Sequence, residues 1–181
     1  MKALLWSVAV LLALPVVAQP MAWVSWVMDG DTVMLVPESG GEPYRLRLQG
    51  MDAPESCQSG GERSREALMA LVQRRHVQVQ LHGTDSYGRQ LGQLWRDGQD
   101  VGAEMVRSGW AWAYSYRTGR GPYAGLQRQA QRELLGIFAM GEPPMSPALF
   151  RQFHGSCHAD VDKDRLAPVQ RAAQTGQAGS R

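Results

Sequence analysis

The stretch AWVSWVMDGDTVMLVPESGGEPYRLRL, residues 22–48, decides the fold. Ala22 to Val27 is rich in Trp and Val, and Thr32 to Val36 is an apolar run. Tyr44-Arg-Leu-Arg-Leu48 alternates polar with apolar residues. All three are strand signals. Asp29-Gly30 and Gly40-Gly41 are the turn dipeptides that separate them. Downstream, Ser59 and Glu62 form a capping-box pattern ahead of a helix with Ala67, Leu68, Leu71 and Val72 on one face. Val77 to Leu81 alternates again, Asp85-Ser-Tyr-Gly88 reads as a turn, and Leu91 to Trp95 reads as the returning strand. Asp100 is placed to cap a helix over Val101 to Ser108, closed by Gly109. A short aromatic strand follows at Ala111 to Tyr116. The last helix runs from Pro122 to Leu135, with Tyr123, Leu126, Ala130 and Leu134 at helical spacing and Gly136 as its stop. The pattern predicts an α+β fold, a five-stranded OB-type β-barrel with three packed helices, and by itself also allows other α+β arrangements.

The ends of the chain read differently. Lys2, the apolar run Ala3 to Leu14, Pro15 and the small residues to Ala18 form a signal peptide over residues 1–18, with an uncleaved anchor as the alternative. The run is shorter than the ~20 residues that span a bilayer, so cleavage and export to the periplasm or the medium are expected, with no stable membrane insertion afterwards. Residues 22–151 form the folded domain, and 152–181 read as a tail, largely disordered, poor in apolar period. His154, Cys157 and His158 invite a metal reading, and Asp160 to Asp164 imitates the start of a calcium loop. Arg165 stands where that loop needs Gly, so a solvated acidic stretch is expected. Export makes a disulfide possible, and Cys57 and Cys157 are the two cysteines present; free thiols or an intermolecular bond are the alternatives.

Of 181 residues, 44% are apolar and 20% charged, which excludes a disordered or fibrous chain. The net charge of +2 excludes a polybasic coat for nucleic acid. Charge is nonetheless uneven: between Arg45 and Arg132 there are 13 Arg against 8 acids, enough to attract a polyanion.

Three acids fall at expected strand ends: Asp31, Asp52 and Glu55. Hard oxygen ligands suit Ca²⁺ or Mg²⁺, and these segments hold no His that would indicate zinc. Arg47 lies five residues before Asp52, and Arg89 follows the second turn. A cation and two guanidinium groups can offset charge building on phosphorus, while a carboxylate orients or deprotonates water. Each short motif taken alone reads more readily as an ordinary hairpin turn or strand end.

Taken in order, Asp29-Gly-Asp-Thr32, Arg47-Leu-Gln-Gly-Met-Asp-Ala-Pro-Glu55, Asp85-Ser-Tyr-Gly-Arg89 and Met105-Val-Arg-Ser-Gly-Trp-Ala111 resemble the thermonuclease (staphylococcal nuclease-like) family. The likeness runs over about residues 22 to 151 and includes the closing Pro143-Pro-Met-Ser-Pro-Ala-Leu-Phe-Arg151. It implies an OB barrel with three helices and a Ca²⁺-dependent hydrolase of DNA and possibly RNA, acting as an endonuclease and leaving 3′-phosphate ends. By the same resemblance Asp31 and Asp52 bind the ion through carboxylates and Ala53 through its backbone carbonyl. Arg47 and Arg89 grip the phosphate, and Glu55 positions or activates the attacking water. Tyr87, Tyr114 and Tyr116 contact the substrate. A monomer is expected.

Three features depart from the family pattern. Ser86 stands in place of a Lys, the loop after Glu55 is short and carries Cys57, and residues 116–122 are rebuilt with Arg117 and Arg120. Two other readings of the chain are a non-catalytic OB-type module that binds nucleic acid or protein, and a structural envelope protein whose acids merely make turns.

Overall fold

The computed structural model describes residues 19–114, 121–141, 145–155 and 157. The signal segment, Tyr116, Arg117, Arg120 and the chain beyond Cys157 lie outside the described residues. The elements are β1 (Met21–Val27), β2 (Thr32–Pro37), β3 (Tyr44–Leu48), β4 (Met51–Asp52), α1 (Gly61–Val72), β5 (His76–Thr84), β6 (Gln90–Arg96), β7 (Gln99–Asp100), α2 (Val101–Arg107), β8 (Trp112–Ala113), α3 (Ala124–Arg132), a 3-10 turn (Gly136–Ala139) and α4 (Pro147–His154).

Strands β3, β2, β1, β5 and β6 run antiparallel to their neighbours, and a parallel β3–β6 pairing closes the ring into a five-stranded barrel. Alternation sends Val24, Val33, Leu35, Leu46, Leu48, Val77, Val79 and Leu94 inward. So small a ring needs sharp bends, and two register shifts supply them, between Val24 and Trp26 and between Leu81 and Gly83. The first lets Val24 and Val27 both point inward although they are three residues apart. A separate two-stranded ladder pairs β4 with β8, Met51 opposite Ala113 and Asp52 opposite Trp112.

The helices cover the barrel. Leu68 and Val72 of α1, and Val101, Met105 and Val106 of α2, are buried against it. Burying each such side chain contributes roughly 1.5–3 kcal/mol. Asp100 caps α2: its Oδ1 accepts from Ala103 N at 3.1 Å, while its Oδ2 accepts from the Tyr123 hydroxyl at 2.7 Å, tying α2 to the start of α3. Burial, joined by the Asp100 carboxylate, raises the Tyr123 pKa.

Two local expectations are corrected. The capping box does not form: α1 is entered through Gly60 in a left-handed conformation (φ 86°), with no side-chain cap. Helix α3 ends at Arg132, and Leu134, at φ 53°, turns the chain and stands 64% exposed, off the buried face. A fourth helix, α4, joins the expected three; Ser146 caps it by accepting from Leu149 N, and Pro147 occupies its first turn.

Candidate active site

The site grows from the corner between β1 and β2. Asp29 Oδ1 accepts from Asp31 N at 2.9 Å and shapes the turn. Gly30 permits the close approach of α1 beneath it: a Cβ there would lie 2.0 Å from Ser64 Oγ and 2.7 Å from the Ala53 Cβ. The corner leaves Asp31 buried, 3% exposed. Thr32 pairs with Arg47 across β2 and β3, which sets the Arg47 side chain beside Asp31. The chain then turns through Gln49-Gly50 into β4, and its ladder with β8 holds Asp52, 1% exposed.

Arg47 joins the two acids. Its Nη1 donates to Asp31 Oδ1 at 2.7 Å and its Nη2 to Asp52 Oδ1 at 2.6 Å. Ala53 N donates to Asp31 Oδ2 at 3.1 Å. Glu55 is also buried, its backbone fixed on both sides by Gln58. Arg151 of α4 completes the group. Its Nη1 donates to Glu55 Oε1 at 2.8 Å and to Asp52 Oδ1 at 3.1 Å, and its Nη2 donates to Asp52 Oδ2 at 2.8 Å.

Burial pushes the Asp31 carboxyl up to about 7; Arg47 opposes that shift, while Asp29 and Asp52 add to it. For Arg47, burial would lower the pKa, and the facing Asp31 and Asp52 carboxylates more than reverse it. Arg151 behaves likewise, raised by Asp52 and Glu55 against its own burial.

Arg89 belongs to a neighbouring group. Its Nε donates to Asp85 Oδ2 at 2.8 Å, and its guanidinium carbon lies 5.6 Å from the centre of the Tyr87 ring. Tyr87 is 76% exposed. Arg89 immediately precedes β6, whose Gln90 pairs with Leu46 and Leu91 with Arg47, so its backbone runs beside β3. Arg45, on the same face of β3 as Arg47, donates to Tyr87 O at 3.4 Å.

The structure thus brings Asp31, Arg47, Asp52 and Ala53 into direct contact, joins Glu55 to them through Arg151 and sets Arg89 with Tyr87 alongside. Tyr114 N donates to Gly50 O on the β4 side. Tyr116 lies outside the described residues. Cys57 and Cys157 are bonded to each other, with Cα atoms 5.9 Å apart. Arg151 had no assigned role in the sequence. The signal available was its place at the end of a Ser-Pro-capped segment with helical spacing of Leu149, Phe150 and Phe153.

Among the described residues no three His, Cys, Asp or Glu side chains enclose an ion by themselves. Asp31 and Asp52 nevertheless suit a hard cation that keeps water or phosphate in its other positions. Two acids forced together in a buried corner, one with a raised pKa, are a charge arrangement that a divalent ion offsets.

The family model described as staphylococcal nuclease homologue matches residues 45–140. Protein ParB of Escherichia coli is 38% identical over 148 residues, covering 72% of this chain and 82% of that one. A micrococcal nuclease of Shigella flexneri is 32% identical over 151 residues, 77% of this chain and 85% of its own. An uncharacterized endonuclease of Haemophilus influenzae is 32% identical, with 70% of each chain covered. With the closed barrel, the paired acids and Arg47 in place, these matches show that the chain belongs to the staphylococcal nuclease homologue family.

Proposed function

We propose that this chain is an exported, Ca²⁺-dependent endonuclease that hydrolyses phosphodiester bonds of DNA, with RNA as a second candidate substrate, and leaves 3′-phosphate ends. Membership of a nuclease family and the names of the relatives support hydrolytic cleavage of nucleic acid by a metal-dependent enzyme. The observation that carries the reading is the Arg47 guanidinium held between Asp31 and Asp52 with Glu55 alongside.

In this reading Asp31, Asp52 and the Ala53 carbonyl hold the ion, which polarises a phosphoryl oxygen when bound. Arg47, positively charged at any working pH, faces the charge that develops on the phosphate. Arg89 grips the same phosphate from the β5–β6 turn. Glu55 takes the proton of the attacking water, the water oxygen bonds to phosphorus, and the bond to O5′ breaks in line with the attack. O5′ leaves as it takes a proton from solvent water, and the phosphate stays on the 3′ side. Tyr87, Tyr114 and Tyr116 offer stacking or hydroxyl contacts, and an unpaired strand brings its bases to them most readily.

Among the described residues no helix is long and apolar enough to cross a membrane. Export rests on the signal-like residues 1–18 and is compatible with the bonded cysteines. The test is digestion of end-labelled single- and double-stranded DNA and RNA with Ca²⁺ or chelator, followed by analysis of the ends. Internal cuts with 3′-phosphates are expected; 5′-phosphate ends or chelator-resistant cleavage would overturn the mechanism.

A further inference from the structure

Helix α4 is fastened at both ends to the loop that carries Glu55. Ahead of it, Gln58 Nε2 donates to Met145 O at 2.5 Å, while Oε1 of the same side chain accepts from Glu55 N at 3.2 Å. Beyond it, the disulfide ties Cys157 to Cys57. Between the two fastenings, Arg151 reaches back across the chain to Asp52 and Glu55.

As a result both carboxylate oxygens of Asp52 are engaged by guanidinium groups: among the described residues, Oδ1 by Arg47 and Arg151, and Oδ2 by Arg151. A divalent ion ligated by Asp52 competes with those donors for the same two oxygens, and its charge repels a guanidinium lying against them. Arg47 stems from a barrel strand, with its side chain 19% exposed. Arg151 stems from an eight-residue helix outside the barrel, with its side chain 31% exposed. Of the two, Arg151 is the more exposed and is not built into the barrel, so its side chain is the one that can swing out while the helix stays fastened.

We propose that Arg151 is a built-in counter-ion of the site, which competes with the divalent ion for Asp52 and Glu55 and whose grip is set by the Cys57–Cys157 tether. Held by a short covalent strap, the guanidinium stays at high effective concentration beside its acids. An incoming ion must displace it, and opening the disulfide lowers the competition. The inference rests on the reading of Asp31 and Asp52 as ion ligands.

The test is calorimetric titration of the chelator-stripped, signal-free chain with Ca²⁺ alone, without nucleic acid and well below the melting temperature. Removing a charge-assisted contact worth about 1.5–3 kcal/mol corresponds to at least about tenfold tighter Ca²⁺ binding in Arg151→Gln. Arg151→Lys, which keeps the charge, stays near the parent affinity. Reduction tightens Ca²⁺ binding to the parent protein but leaves Arg151→Gln unchanged. Equal or weaker binding by folded Arg151→Gln overturns the proposal, as does an equal response of both proteins to reduction. Should Arg151→Gln fail to fold, the parent protein decides: an affinity unaltered by reduction overturns the tether. If Ca²⁺ binds the parent protein and Asp52→Asn equally, the ligand reading fails together with the proposal. If Asp52→Asn alone loses binding while Arg151→Gln matches the parent, only the proposal fails.

Discussion

Thr32 stands directly opposite Arg47 in the β2–β3 ladder, and that register sets the guanidinium between Asp31 and Asp52. A slip of one residue would turn Arg47 into the barrel and Leu46 out of it. The charge pairing at the site is thus specified by the same alternation that fills the core.

Arg47→Ala leaves two buried carboxylates without their shared partner. Cleavage is expected to fall on the order of 10²–10³-fold or more, and the metal-free protein to melt at a lower temperature. Steady-state kinetics beside a thermal melt separate the two effects. Near-normal turnover would remove Arg47 from the mechanism.

Chelation is expected to stop cleavage, and added Ca²⁺ to restore it. Asp52→Asn should blunt the recovery, because the amide offers one neutral oxygen where the carboxylate offers two charged ones. Full activity in chelator would exclude an ion at the corner.

The Asp31 shift has a definite sign in the metal-free protein. Its carboxyl is pushed from the usual 3.8 to about 7 on folding, so between those values the folded state binds more protons than the unfolded. The contribution of this group is complete below the lower value and is lost as pH rises through the upper one. Melting temperature in chelator, taken as parent minus Asp31→Asn, should therefore rise as pH is lowered from about 8 to about 5. A fall over that range would contradict the buried, protonatable Asp31.

The disulfide joins residues 100 positions apart. In the chain-entropy model such a loop is worth about 4–5 kcal/mol. Reduction should lower the melting temperature, and hydrogen exchange should quicken first in α4, which the bond fastens. An unchanged melt would show that the bond carries no stability.

Gly30→Ala would drive a methyl group into Ser64 Oγ and the Ala53 Cβ. Overpacking of this kind costs about 1–3 kcal/mol. Because Ala53 donates to Asp31, activity should fall along with stability. A variant with parent-like melting and rate would show that α1 gives way without disturbing the corner.

What could be read from sequence follows the range of the interactions. Asp100 announces itself three residues before the amide it caps, and Val77 and Val79 show their buried face by alternation alone, whereas Leu81, at the register shift, is 46% exposed. Ser59 and Glu62 carry a local signal that tertiary contact overrides: α1 starts where Gly61 packs on the Glu55 carbonyl, with the left-handed Gly60 entering it. Leu134 kept helical spacing after the helix itself had ended. At the site, Arg47 and Asp52 are five residues apart and their pairing follows from a strand and a turn. Arg151 meets Asp52 across 99 residues, through a helix placed by a side-chain hydrogen bond and a disulfide, and no periodicity encodes such a contact.

The ladder between Asp52 and Trp112 also bears on the time at which the enzyme becomes dangerous. A chain still being synthesised carries all three acids and Arg47 long before Trp112 emerges from the ribosome, yet the strand that steadies Asp52 is then missing. Closure of the ring by β6 is likewise delayed until Arg96 has been made. The unfinished polypeptide therefore lacks the partner strand of Asp52 until translation has passed Trp112, and in the proposed reading the capacity to cut cannot arrive before then.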